Sequence, residues 1–189
     1  MKIIPAIMMK LQKIKFGTKC RFYGFPIITK SKKAELVLGD RCRIRSGFFT
    51  NLIGLYQRTV IVAKDTGKVR IGNDVGMSGV TIYARSSIQI GDKCLIGANT
   101  KIIDNDFHPV DPEVRRATPG KGMSSAPIEI GENVFIGCNS LVLKGVTIGD
   151  NSVIGAGSVV VKSIPANCLA AGNPAKVLRT FEITEDKDD

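Results

Sequence analysis

One histidine occurs in the 189 residues, His108, within the run Asp104-Asn105-Asp106-Phe107-His108-Pro109. Imidazole titrates near neutral pH, so a positioned histidine can take a proton from a hydroxyl and pass it to a leaving group. The acids Asp104 and Asp106 either orient that ring or cap the turn that carries it. A thiol offers different chemistry, and there are five cysteines. Covalent catalysis through Cys138 would need a histidine to activate it, and a single imidazole cannot do that while serving an acceptor. One histidine per chain also falls short of a three-histidine zinc centre, so no metal is expected. The cysteine count is odd and no CxxC spacing occurs, which points to a reducing, cytoplasmic compartment rather than a disulfide framework.

The scaffold that must hold His108 is written in a period of six. Ile130, Ile136, Val142, Ile148, Ile154 and Val160 are all branched aliphatics, and Ile128, Val134, Ser140, Val146, Ser152 and Ser158 form a second, smaller series two positions earlier. Residues six apart on a helix face different ways, and glycine at Gly131, Gly137, Gly149 and Gly155 would cost a helix about 1 kcal/mol each. Short strands joined by turns and stacked as coils satisfy both series, which predicts an all-β solenoid. Less regular copies run back through Ile102, Ile96, Ile90, Met77 and Ile71, and echoes at Leu38-Gly39-Asp40 and Phe16-Gly17-Thr18 predict earlier coils with inserted loops. Cys20, Cys42 and Cys94 then fall at small inward positions, where packing alone accounts for them. The reading divides the chain into a basic segment 1–15, a solenoid 16–165 and a C-terminal tail 166–189, the tail expected to be helical.

After Ile102 the next hexad is due at residue 108, yet clean register resumes only at Ile130, an excess of 22 residues. With Pro109, Pro112, Gly120, Gly122 and Pro127 in it, this stretch predicts a loop over about 108–127, and long loops on rigid scaffolds tend to carry function. Charge is also uneven. Residues 1–70 hold 16 Lys and Arg against three acids. Such an end can meet phosphates, an acidic glycan or an anionic membrane surface, or simply solubilise the protein. Ile4, Ile7, Met8, Leu11 and Ile14 recur at helical spacing among lysines, so peripheral membrane contact through the N-terminal segment is one reading. No stretch approaches the roughly 18 apolar residues of a membrane span.

Taken together, the hexads, the DxDFHPxD run from Asp104 to Asp111, Val153-Ile154-Gly155-Ala156-Gly157-Ser158 and Ala171-Gly172-Asn173-Pro174-Ala175-Lys176 resemble the hexapeptide-repeat acyltransferases. The resemblance is greatest to the sugar O-acetyltransferases and covers about residues 71–180. It implies a left-handed parallel β-helix, a homotrimer, and acetyl-CoA as cosubstrate in clefts between subunits. It further implies His108 as the general base and the backbone NH of Cys138 as an oxyanion donor. Gly155, Ala156 and Lys162 match the pantetheine contacts, while Pro174, Lys176 and Arg179 match the tail against the adenine and phosphates.

By the same resemblance the acceptor lies at Met77, Ser78 and Asp106, but an asparagine that galactoside and maltose acetyltransferases use there is replaced by Met77. The nine cationic residues and no acids from Met1 to Lys33 also lack a counterpart. A different saccharide is therefore expected, for instance a surface-polysaccharide precursor still carried on a phosphate. Transfer to an amino sugar, or a non-catalytic β-helix scaffold, are the alternatives. No nucleic-acid partner is expected.

Overall fold

The computed structural model describes residues 13–118 and 120–182. Residues 1–12, which hold most of the basic N-terminal segment, lie outside the described residues, as do Pro119 and 183–189. Three sheets form the walls of a triangular prism. Sheet A stacks Lys15–Phe16, Glu35–Leu38, Lys68–Ile71, Ser87–Ile90, Ile128–Ile130 and Thr147–Ile148. Sheet B stacks Arg21–Gly24, Arg43–Ser46, Gly76–Ser78, Leu95–Ile96, Phe135–Ile136, Val153–Ile154, Cys168–Gly172 and Ala175–Thr180. Sheet C stacks Ile27–Lys30, Val60–Ala63, Thr81–Ala84, Lys101–Ile103, Leu141–Leu143 and Val159–Val160. The chain visits A, B and C in turn, so sequence neighbours sit on different walls and every coil pairs in parallel with the next.

The hexad aliphatics become continuous ladders inside these walls. Leu38, Ile71, Ile90, Ile130 and Ile148 are in register on sheet A. Ile44, Met77, Ile96, Ile136 and Ile154 follow one another on sheet B. Ile28, Ile61, Ile82, Ile102, Val142 and Val160 do so on sheet C. None of these side chains is more than 6% exposed, and each contributes about 1.5–3 kcal/mol on burial. The smaller series fills the corners, where its polar atoms are satisfied by carbonyls. The Cys94 thiol donates to Gly131 at 3.0 Å, the Thr100 hydroxyl to Gly137 at 3.1 Å and the Ser158 hydroxyl to Gly155 at 2.5 Å.

Two segments leave the prism. Residues 47–59 depart at the corner from sheet B to sheet C, and residues 104–127 at the corner from C to A, carrying a short helix Pro112–Ala117 whose first amides are capped by Asp111. The tail departs from expectation, because its described part is a strand pair rather than a helix. Cys168–Gly172 adds to sheet B beside Val153 and Ile154, and Ala175–Thr180 folds back antiparallel on it. The open edge of sheet B supplies main-chain partners that an isolated helix would forgo, and Gly172, at φ 104°, makes the reversal.

Candidate active site

The run around His108 is held by contacts from every neighbour of the histidine. Asp104 is fully buried, and its carboxylate accepts from the backbone amides of Arg85 at 2.8 Å and Ser86 at 2.7 Å. Asn105 donates to that carboxylate at 3.1 Å and accepts from the Phe107 amide at 3.0 Å. Asp106 is paired with Lys144. Phe107, at φ 60°, lays its ring 4.9 Å from that of Tyr83 on sheet C. On the far side the loop is closed by the Asn105 and Ser125 bridge and by Ala126 donating to Asp104 at 3.0 Å. His108 itself is exposed. The local structure spends the rest of the motif on presenting one imidazole.

Two expectations about the acids change accordingly. Asp104 neither orients the ring nor caps its own turn; it fixes the corner of the preceding coil. Asp106, expected at the acceptor, pairs with Lys144 and keeps part of its side chain exposed. Met77 also needs correction, because strand alternation turns its side chain into the core, 2% exposed, and only its backbone borders the outer surface. Ser78 is also largely buried but borders that outer surface, accepting from Asn51 Nδ2 at 3.2 Å.

Cys138 stands at the corner from sheet B to sheet C, second in the turn Gly137-Cys138-Asn139-Ser140. Asn139 is left-handed at φ 58°, and this peptide orientation sends the Cys138 carbonyl to the Gly157 amide at 2.8 Å. Turns of that kind leave the second residue's NH unbonded, and the Cys138 NH has no hydrogen-bond partner among the described residues. The turns at Ala98 and Ala156 repeat the geometry above and below. At Gly137 an added Cβ would collide with the Ala156 backbone nitrogen, so glycine lets these corners stack. The result is a cleft of about 350 Å³ lined by Ser78, Gly97, Cys138, Gly155 and Ala156, with Asn51 and Ile53 of the first excursion as its wall.

Sequence reasoning did not find Asn51 and Ile53, because their loop has no period. Its only signal was the interruption after Ser46 and the density of apolar residues in it. Lys162, just after the last strand of sheet C, and Pro174, Lys176 and Arg179, in the turn and final strand added to sheet B, are all exposed near the C-terminal end, and Arg179 lies 5.2 Å from the Phe181 ring. His108 does not line the cleft at Cys138. The two leave the prism at different corners with sheet C between them, a face of six residues and so up to about 20 Å wide.

Repeats of six, a parallel three-walled helix and a single histidine on an excursion loop define a hexapeptide-repeat transferase. Residues 127–162 match the family described as bacterial transferase hexapeptide (six repeats), and residues 68–102 match the hexapeptide repeat of succinyl-transferase. Nodulation protein L of Rhizobium leguminosarum bv. viciae is 40% identical over 152 residues, 77% of this chain and 78% of that protein. Galactoside O-acetyltransferase of Escherichia coli is 48% identical over 100 residues, 53% of this chain and 47% of that enzyme, so the match spans less than half of its length. A solved galactoside acetyltransferase in complex with coenzyme A superposes with a TM-score of 0.59 at 30% identity, covering 94% of this chain and 69% of that one. The chain belongs to the hexapeptide-repeat acetyltransferases, and its helix is the left-handed parallel β-helix of that family.

Proposed function

We propose that the protein transfers the acetyl group of acetyl-CoA to a hydroxyl of a saccharide. The observation that carries this reading is a lone imidazole carried on a braced excursion loop, together with a cleft whose stacked corner turns, Cys138 among them, present amides without a hydrogen-bond partner among the described residues. In the reaction His108 accepts the hydroxyl proton as the sugar oxygen attacks the thioester carbonyl. The Cys138 NH donates to the oxygen on which charge develops. Collapse of the tetrahedral intermediate forms the ester and breaks the bond to sulfur, and the proton on His108 passes to the departing thiolate. The pantetheine arm lies along Gly155 and Ala156, where side chains are smallest, with Lys162 serving the same arm, and Pro174, Lys176 and Arg179 meet the adenine and phosphates.

Because the base and the oxyanion donor occupy different corners, the complete site requires His108 of one copy beside Cys138 of another, which a homotrimer supplies. The first excursion supports this, since Phe48, Phe49, Leu52, Ile53 and Tyr56 are each at least 64% exposed in the single chain. Five unpaired thiols suit the reducing cytoplasm. Among the described residues no helix is long and apolar enough to cross a membrane.

Measuring CoA thiol release from acetyl-CoA against a panel of saccharides tests the reading. His108→Ala should lose about 100-fold or more of acceptor-dependent release while still binding CoA. Undiminished turnover in that variant would overturn it.

A further inference from the structure

Three arginines stand together on the outer face of sheet B with no acid between them. Arg21 and Arg43 are directly opposite on adjacent strands, and Arg45 is opposite Tyr23 one row further on. Adjacent strands lie about 4.8 Å apart, so Arg21 and Arg43 are like charges at close neighbour distance, an arrangement that costs stability. Among the described residues neither side chain makes a hydrogen bond or ion pair. Asp74, the acid whose charge reaches Arg43, is already taken by Arg41, which donates to it through Nε at 2.8 Å and Nη2 at 2.6 Å. Arg45 is steadied instead by the Tyr23 ring, 5.3 Å from its guanidinium carbon.

The next residue of the Arg43 row is Gly76. Without a side chain there, a recess of about 220 Å³ opens, lined by Arg43 and Arg45 on one side and Leu95 and Phe135 on the other. This recess shares Ser78, Gly97 and Phe135 with the cleft at Cys138, so the two adjoin along the face of sheet B as one groove-like track. Three strand spacings, about 14 Å, separate the arginine strand from the strand that leads into Cys138. The C-terminal half of the groove holds CoA in the function proposed above. Its N-terminal half is left for the acceptor and ends in unpaired cations.

We propose that Arg43 and Arg45, supported by Arg21, bind a phosphate group esterified to the acceptor saccharide. The sugar ring then lies over Gly76 and Ser78, with a hydroxyl directed toward the Cys138 corner. This assignment rests on the acetyltransferase reading for the direction of the groove, but the arginine site itself is independent of it. Guanidinium pairs grip phosphate oxygens in a fixed fork, and flanking Tyr23 and Leu95 suit the apolar face of a sugar. The phosphate can belong to a soluble sugar nucleotide or to a lipid-linked saccharide.

Calorimetric titration of the full chain, saturated with CoA so that the cofactor's own phosphate contacts are filled, tests the site with inorganic pyrophosphate. Pyrophosphate should bind once per chain. Arg43→Gln and Arg45→Gln should each weaken it by about tenfold or more, Arg43→Lys by less, and Arg179→Gln not at all. UDP-glucose and vesicles of phosphatidylcholine doped with polyprenyl phosphate then separate the two sources: whichever binds with the same arginine dependence identifies the carrier. Absence of pyrophosphate binding, or equal affinity in the glutamine variants with unchanged circular dichroism, would overturn the proposal. So would binding only to phosphatidylserine vesicles, which would mark a general anionic-surface contact. If CoA binds and pyrophosphate does not, the phosphate site falls and the acetyltransferase reading stands. If CoA itself fails to bind, the titration of pyrophosphate alone still reports on the arginines.

Discussion

The ring of Phe107 rests 4.9 Å from that of Tyr83 while the Phe107 backbone is held at φ 60°, so the residue preceding His108 is anchored to sheet C in a conformation that side chains rarely adopt. Such a pair is worth about 0.5–1.5 kcal/mol beyond its burial. Tyr83→Ala should therefore lower kcat by up to about tenfold with CoA affinity unchanged, and Tyr83→Phe should restore it. Equal kcat in the alanine variant would show that the ring contact does not position the base.

Asp104 should matter to folding more than to proton transfer. Asp104→Ala leaves the amides of Arg85 and Ser86 without their acceptor in a buried corner, at a cost of about 2–4 kcal/mol. Thermal unfolding should register the loss, and any remaining folded enzyme should keep the wild-type pH profile of kcat.

The thiols should divide by position. Burial pushes the Cys42 thiol up to about 12 and the Cys94 thiol to about 11 from an ordinary 9.0. In native protein a thiol reagent should modify half-buried Cys138 and Cys20 and spare Cys42, Cys94 and Cys168 until denaturant is added. The same two groups make stability pH dependent. Their contribution is complete below 9.0 and is lost as pH rises toward about 11–12, because the unfolded chain then sheds protons that the fold retains. Cys42→Ala should flatten that alkaline decline.

At the acid end the sign reverses. Asn73 donates to the Asp92 carboxylate through its backbone at 2.7 Å and its side chain at 3.0 Å, holding the acid below its ordinary 3.8. Its contribution is present above 3.8 and disappears as pH falls below that value. Asp92→Asn should show a shallower loss of stability in acid unfolding curves than wild type.

Leu52, 90% exposed on the first excursion, tests the assembly. Leu52→Asp should shift sedimentation from trimer toward monomer and abolish acetyl transfer, with circular dichroism unchanged. Activity in a strictly monomeric species would rule out a site shared between copies.

What could be read from residues alone followed from how local the signal was. The ladders from Ile130 to Val160 were legible because one period governs both the packing and the turns. His108 stands out as a candidate because it is unique and the ruler of six stops beside it. Met77 was misjudged because a match of position says nothing of facing, and the register with Ile44 and Ile96 turns it inward. The tail was misjudged because its fold depends on an edge of sheet B that no neighbouring residue announces. Arg21 and Arg43 are 22 residues apart, so their adjacency appears only when coils stack.

The hairpin formed by Cys168–Gly172 and Ala175–Thr180 has a further consequence. A stack of parallel coils has no intrinsic last member, and an uncapped end offers amides and carbonyls to the next molecule, the route by which edge strands seed fibres. Reversing the final strand ends the run of parallel coils on sheet B with a hairpin. The same strand bears Lys176 and Arg179, charged side chains of the kind that discourage edge-to-edge pairing. A substitution that removes those cations therefore acts on how well the last edge of the coil is kept from pairing with another molecule.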